Sequence, residues 1–146
     1  MSETGYDRDF YAWTLAQAEA LRAKDWHALD IEHLAEEIED LGKSDQRAIQ
    51  SHLRILLLHL LKVTHQRQRR LSWLRSIRNT REAIEIVLHD SPSLQHALPS
   101  FLAWAYPRAS KAAAEESRLP LATFPDACPW TLDRLLDEDF LPPTAE

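Results

Sequence analysis

Histidines and carboxylates are the residues of this chain whose spacing best suits metal or proton chemistry. His33 precedes Glu37 by four residues, so a helix would present both side chains on one face as two ligands of a single ion. His52 and His59 also share a helical face, but they lie about 10 Å apart along the axis, which is too far for easy joint ligation. These four residues are candidates for the centre of a metal-dependent enzyme. Hydrogen-bonded surface pairs are the more common role of such spacings.

The sequence lacks the motifs that other reactive centres require. A loop that cradles phosphate needs several glycines so that backbone amides approach the oxygens closely, and this chain has two, Gly5 and Gly42, far apart. Cys128 stands beside Pro129 and Trp130 without a neighbouring cation, so we expect a buried thiol rather than a nucleophile. We therefore predict no catalytic residue and no cofactor.

The sequence also predicts the compartment. A single cysteine cannot form an internal disulfide, which suits the reducing cytoplasm. The first residues lack the basic and then apolar segments of a signal peptide. The densest apolar run, 55–61, is far shorter than the ~20 residues of a membrane span. We predict a cytoplasmic protein that does not enter the membrane.

Charge is segregated along the chain, whose net charge is −6. From Asp30 to Asp45 there are seven acidic residues and one base, and three of these acids, Glu32, Glu36 and Glu39, fall on the wet face of a predicted helix. From Lys62 to Arg81 there are seven bases and no acid. We expect Arg67, Arg69 and Arg70 to be exposed at a turn between helices. Together with Arg75 and Arg78 they are the candidate partner-binding residues of the basic segment.

Three interpretations of this segregation stay open. In the first, the acidic and basic helices pair with each other, within one chain or across a homodimer. In the second, these helices bind a protein partner. In the third, the arginines bind nucleic acid. The negative net charge weakens the last of these. The five tryptophans are spread one per segment, which indicates core anchors rather than a platform for stacking bases.

Apolar residues recur at helical spacing along almost the whole chain, and the scarcity of glycine favours helices over strands. We predict helices over about 9–24, from 30 towards Gly42, over 45–66, 72–90 and 92–117, and a short one capped by Thr131. Gly42 either ends the second helix or lies inside one long helix. The segment 45–66 is apolar almost all round between Ile55 and Leu61, so we expect it at the centre.

The predicted fold is therefore all-α, a compact single-domain bundle of about five or six helices. We expect residues 1–6 to be a flexible N-terminus and 119–146 to form a proline-rich strap with the short final helix.

Several short motifs occur in order along nearly the whole chain: Leu60-Leu61-Lys62 with Gln66, Ser72-Trp73 with Ile77 and Arg81, Ser91-Pro92-Ser93-Leu94, Tyr106, Phe124-Pro125 and Cys128-Pro129-Trp130. In these motifs the chain, from Tyr6 to about Pro142, resembles a bacterial family catalogued as domain of unknown function twenty-nine. The resemblance implies a compact helical domain of bacterial origin. It implies no activity, cofactor or catalytic residue.

The function that these observations favour is a non-enzymatic protein-interaction module. It would present the arginine-rich turn and the acidic helix face to a partner or to a second copy of itself. The alternatives are a nucleic-acid-binding module that uses the same arginines and a metal-dependent enzyme built in the bundle core.

Overall fold

The computed structural model describes residues 5–144, and these residues form an all-α structure, as predicted. The chain divides into two compact units, Met1–Ser44 and Asp45–Glu146, called here the N-terminal and C-terminal units. The α-helices of the described part are α1 (Phe10–Arg22), α2 (Ile31–His65), α3 (Leu71–Asp90), α4 (Leu98–Ser117) and α5 (Leu132–Leu136). Short 3-10 helices cover Trp26–Ala28, Pro92–Ala97 and Leu121–Thr123.

In the N-terminal unit, both ends of α1 follow from local chemistry. Asp9 caps the start, where its Oδ1 accepts a hydrogen bond from the amide of Ala12 at 3.0 Å. At the other end Lys24 adopts a left-handed φ of 56°. The amide of Lys24 then donates to Leu21 and the amide of Asp25 donates to Ala20. These two bonds form a Schellman motif, with a lysine in the position that glycine usually occupies.

The long helix α2 runs without a break through Gly42, so the second of the two alternatives for this glycine is correct. Gly42 has no positive φ, and a Cβ atom built on it would meet nothing within 4 Å. The glycine therefore serves neither a left-handed turn nor a close approach. No proline interrupts the run Ile31–His65, and good helix formers flank the glycine on both sides.

The C-terminal unit contains the hydrophobic core, and the second half of α2 lies at its centre. Every residue of the predicted stripe of this segment is fully buried. Neighbouring leucines on the other faces are buried as well, which fits a helix surrounded by others. From α3 and α4 the core receives aromatic, aliphatic and small side chains: Trp73, Ile77, Ile84, Leu98, Phe101, Ala105, Tyr106, Ala109 and Ala113.

The C-terminal segment is fixed to this core mainly by side chains that bind its backbone. Tyr106 donates a hydrogen bond from its hydroxyl to the carbonyl of Pro125, and Arg69 donates from Nη2 to the carbonyl of Pro142 at 2.9 Å. Phe124 is buried against the edge of the His65 ring. Helix α5 begins at the predicted cap, where the Thr131 hydroxyl accepts from the amide of Arg134.

One expectation about a particular residue is wrong, and two others are not tested. Trp26 is 63% exposed, so the prediction that the tryptophans anchor a core is wrong for this one, whereas Trp13 and Trp73 are buried. Of the N-terminal segment predicted to be flexible, residues 1–4 lie outside the described part, and Tyr6 packs in the N-terminal unit against His33. The prediction of a single domain for 1–146 stays a prediction.

Within residues 5–144, no helix combines the length and the apolar character that crossing a membrane requires.

Candidate functional site

The N-terminal unit leaves an unusual share of its large apolar side chains in solvent. Of the eleven large hydrophobic residues that are exposed in the described part of the chain, eight lie in this unit. Ile38 is 66% exposed and Leu41 is 71% exposed, although both belong to the apolar stripe of α2. The full set is Phe10, Tyr11, Leu15, Leu21, Trp26, Ile31, Ile38 and Leu41. Clustered exposure of this kind marks surfaces that bind other molecules.

Part of this set lines a groove of about 310 Å³ between α1 and the first third of α2. We call it the apolar groove; its lining is Phe10, Trp13, Thr14, Gln17, Ala18 and Leu21 from α1, with Leu34, Glu37, Ile38 and Leu41 from α2. The residues from each helix recur at intervals of three or four, so each helix contributes one continuous wall. A third helix could fit between two such walls.

A polar cluster ties α1 to the segment that leads into α2. Gln17 is buried on α1, where its Oε1 accepts from the amide of Asp30 at 2.7 Å and its Nε2 donates to the carbonyl of Ala28 at 3.3 Å. Trp13, also buried, donates from Nε1 to Asp30 Oδ2 at 3.2 Å. The exposed apolar side chains are therefore available for another molecule without loss of these contacts.

Tyr6 and His33 extend this cluster along α2. The rings of Tyr6 and His33 stack with centroids 4.0 Å apart, and the Tyr6 hydroxyl donates to Glu37 Oε1. This bond to a carboxylate, together with partial desolvation and nearby charge, raises the pKa of Tyr6 to about 12. His33 Nδ1 lies 2.7 Å from Asp30 Oδ2. Hydrogen bonding to Asp30 raises the pKa of His33, and the same bond lowers the pKa of Asp30.

The acidic helix face lies on the side of α2 away from the apolar groove. Glu32, Glu36 and Glu39 are exposed, as predicted for a solvated face. At 100° per residue, these glutamates lie about 150–170° round the helix from the middle of the α2 lining of the groove. Residues 5–44 contain ten acidic and four basic residues, a balance of −6. The N-terminal unit as a whole is therefore strongly negative.

The arginines of the basic segment do not form one uniform exposed cluster. All of Arg67, Arg69 and Arg70 are exposed at the turn after α2, but two of them already have partners. Arg69 binds the Pro142 carbonyl, whereas Arg70 donates from Nε to Gln68 and lies over the Trp73 ring at 5.3 Å. Arg67 has a left-handed φ of 54°. The run of positive charge in the sequence could not show which of the three guanidinium groups binds a backbone carbonyl.

Further along α3, Arg75 and Arg78 are exposed and Arg81 is buried. Arg81 donates from Nε to the carbonyl of Leu135 at 2.7 Å, and its Nη2 is buried without an acceptor. Burial lowers the pKa of this guanidinium, while Asp137 counteracts the shift. Arg81 lines a cleft of about 570 Å³, which also contains Glu82, Glu85 and His89. Its role here is to hold α5 against α3.

The charged segments are not extensively paired within the described residues, where the ion pairs within 4.0 Å are His33–Asp30 and Lys62–Glu116. None of the arginines from Arg67 to Arg81 takes part in one. The pairing of the acidic and basic helices with each other stays a prediction.

The candidate metal ligands occupy different environments. His33 bonds to Asp30, and Glu37 accepts from Tyr6. His59 is partly buried, with Nδ1 buried and without a hydrogen-bond partner, and His52 is also partly buried. In the described part of the chain, no group of three or more His, Cys, Asp or Glu side chains is placed to hold a metal ion. Cys128 is partly buried, and its desolvation raises the pKa of the thiol.

His33 and His59 are expected to titrate on opposite sides of the ordinary histidine pKa of 6.5. The bond to Asp30 raises the pKa of His33, whereas burial and the charge of Lys62 lower the pKa of His59. Protonation of His33 thus stabilises the fold; this contribution is complete below pH 6.5 and is lost as the pH rises through the folded-state pKa. Imidazole NMR titration measures both values.

The matched control for this titration is Asp30→Asn, which removes the carboxylate. We expect it to lower the pKa of His33 and to leave that of His59 unchanged. For Asp30 the sign is opposite, because its pKa is lowered: its contribution is present above pH 3.8 and is lost as the pH falls through the folded-state value. A wild-type His33 that titrates below 6.5 would contradict the assignment.

Comparisons with known proteins agree with the resemblance seen in the motifs. The family model described as "Domain of unknown function DUF29" matches residues 5–141, nearly the whole chain. Neither the curated proteins nor the solved structures contain a match.

Proposed function

This chain belongs to the DUF29 family, and we propose that it acts as a non-enzymatic interaction module whose binding surface is the N-terminal unit. The observation that carries the proposal is the exposure of Ile38 and Leu41 in the apolar groove. Contiguous exposed apolar side chains are typical of surfaces that bind other molecules. The proposal includes a cytoplasmic location, which suits a chain whose single cysteine cannot form an internal disulfide.

Two energetic arguments support this surface. Burying an exposed isoleucine or leucine side chain stabilises a complex by about 1.5–3 kcal/mol, so a few such residues supply useful affinity. The polar cluster around Gln17 and Asp30 already orders the two helices, so a partner need not organise them on binding.

The arginine-rich turn contributes fewer residues to the proposed binding surface. Arg69 and Arg70 are engaged within the C-terminal unit, which leaves Arg67, Arg75 and Arg78 as exposed cations for an acidic partner or for nucleic acid. A nucleic-acid-binding module remains the second candidate function. This function requires an affinity for nucleic acid that falls steeply as the salt concentration increases.

Stoichiometric co-purification from native cells, with cross-linking and mass spectrometry, tests the proposal. We expect Ile38→Asn/Leu41→Asn to lose the complex that the wild-type protein forms. Arg75→Glu/Arg78→Glu serves as the comparison, since it changes only exposed side chains of α3. If the first variant keeps every bound component and the second loses them, the arginines rather than the groove form the binding surface. An excess of 260 nm absorbance in the wild-type complex would favour nucleic acid.

A further inference from the structure

Arg81 is a buried cation whose hydrogen-bonding capacity the C-terminal unit does not use fully. It is 5% exposed, and Nη2 is buried without an acceptor within residues 5–144, although Nε donates to the Leu135 carbonyl. Burial lowers its pKa and Asp137 opposes that shift, yet none of the ion pairs within 4.0 Å in the described residues includes Arg81. A buried guanidinium N–H without an acceptor is unfavourable, and an oxygen atom of a ligand would remove this penalty.

Arg81 lies at the floor of two adjoining clefts between α3 and the segment around α5. The first has a volume of about 570 Å³ and the second of about 560 Å³, and both are lined by Arg81, Glu82 and Glu85. Because Arg81 is buried whereas Glu82 and Glu85 are exposed, the arginine occupies the floor and the two carboxylates occupy the rim. Asp137 and Glu138 add two further carboxylates to the second cleft.

The charges of the two clefts define the ligand that fits them. Their titratable residues are Arg78, Arg81, Glu82, Glu85, His89, Asp137 and Glu138. The four carboxylates repel a simple anion, whereas a simple cation would leave Arg81 without an acceptor. We propose that the clefts bind a small zwitterion of the α-amino acid class, with its carboxylate on Arg81 and its ammonium group beside Glu82 and Glu85. Such a ligand forms charge-assisted hydrogen bonds at both of its charged groups.

The apolar lining of the first cleft indicates the side chain of the ligand. This lining consists of Ile84, Ile86, Leu88 and Leu136. Ile86 is 57% exposed, and Leu88 and Leu136 are partly buried, so aliphatic surface is open to a ligand beside the charged groups. A volume of about 570 Å³ is within the usual range of small-molecule sites. An amino acid with an aliphatic side chain, such as leucine, therefore matches the site, which includes no residue of the apolar groove.

Binding of three matched probes to the full chain tests this site. L-Leucine carries both charges, N-acetyl-L-leucine lacks the ammonium group, and L-leucinamide lacks the carboxylate. We expect L-leucine to bind with a Kd of about 1 mM, which a ligand of this size can reach, and the other two to bind at least about tenfold more weakly. Two-dimensional proton–nitrogen NMR measures the three affinities. The largest shifts are expected for the amides of residues 81–89 and for the Nε–H group of Arg81.

Three variants assign the two charged groups of the ligand to their partners. Glu82→Gln/Glu85→Gln changes exposed side chains only, and it should bring the affinity for L-leucine close to that for N-acetyl-L-leucine. Arg81→Met should remove the preference for L-leucine over L-leucinamide, because the carboxylate loses its partner. Glu36→Gln/Glu39→Gln, the matched control, changes two exposed glutamates of the N-terminal unit with the same spacing and should leave every affinity unchanged.

An L-leucine titration that shifts no signal up to about 50 mM would overturn the proposal. Equal affinity for L-leucine and either of the other two probes would also overturn it, because one of the two charges would then not be recognised. The same holds if Glu36→Gln/Glu39→Gln weakens binding as much as Glu82→Gln/Glu85→Gln does, since only the net charge would then matter. If Arg81→Met does not fold, the glutamine variants and the three probes decide the outcome.

Discussion

Leu60→Ala is expected to lower the free energy of unfolding by about 2–5 kcal/mol, the usual cost of removing a buried leucine side chain and leaving a cavity. Leu60 is fully buried at the centre of the C-terminal unit. Its neighbours on α2 are themselves fully buried, so the surrounding side chains have little room to close the space. Urea denaturation, followed by circular dichroism, measures the change.

Leu41→Ala is the matched control, because it makes the same substitution in the same helix. Leu41 is 71% exposed, so we expect a change within about 0.5 kcal/mol in stability. The contrast tests directly whether the apolar stripe of α2 changes its role between the two units. A large loss of stability in Leu41→Ala would show that this leucine belongs to the hydrophobic core, and it would remove the main support for the apolar groove.

Arg81→Ala is expected to lower the free energy of unfolding by about 2–4 kcal/mol. The wild-type guanidinium donates to the Leu135 carbonyl at 2.7 Å, and a hydrogen bond to a charged group contributes about 1.5–3 kcal/mol. The substitution also removes the packing of the alkyl stem and leaves a carbonyl without its donor. Part of this loss is offset, because the buried Nη2 has no acceptor and its desolvation is unfavourable.

Arg81→Met separates the two contributions. Methionine keeps most of the apolar stem and removes the buried charge, so we expect a loss of less than half that of Arg81→Ala. In both variants the amides of α5 should exchange with deuterium faster than in the wild type, because the bond that holds Leu135 is absent. Unchanged exchange in α5 together with unchanged stability would contradict the role given to Arg81.

The fold class follows from patterns that the sequence shows plainly. The buried stripe Ile49, Leu53, Leu56, Leu60 and Val63 was predictable, because its helical period is strict and apolar residues occupy the other faces too. The passage of α2 through Gly42 was not predictable. A glycine at this position can end a helix or continue it at a cost of about 1 kcal/mol, and only the packed structure distinguishes the two.

The candidate site shows where such patterns stop being informative. Ile31, Leu34, Ile38 and Leu41 recur as regularly as a buried stripe, yet three of them are exposed. Periodicity reports that a helix has an apolar side, but it does not report whether a partner for that side exists in the same chain.

The arginines illustrate a second limit. Arg69 and Arg81 belong to one run of positive charge in the sequence, but they bind carbonyl groups 73 and 54 residues further along the chain. Such bonds depend on where the C-terminal segment lies, and local spacing does not encode this position. Arg75 and Arg78, whose side chains are exposed, are the members of the run for which the simple interpretation as surface charge holds.

Dissolved salt is expected to act on the stability of this chain in two opposing ways, and the first involves its left-handed residues. Lys24, Arg67 and Arg118 adopt positive φ just after α1, α2 and α4, so each places a cation near the negative end of a helix dipole. That attraction offsets part of the conformational strain of a non-glycine residue. Ions weaken the attraction at these ends, yet they also relieve the mutual repulsion of the carboxylates in residues 5–44. A rise in ionic strength therefore destabilises the helix ends and at the same time reduces the repulsion within the acidic N-terminal unit.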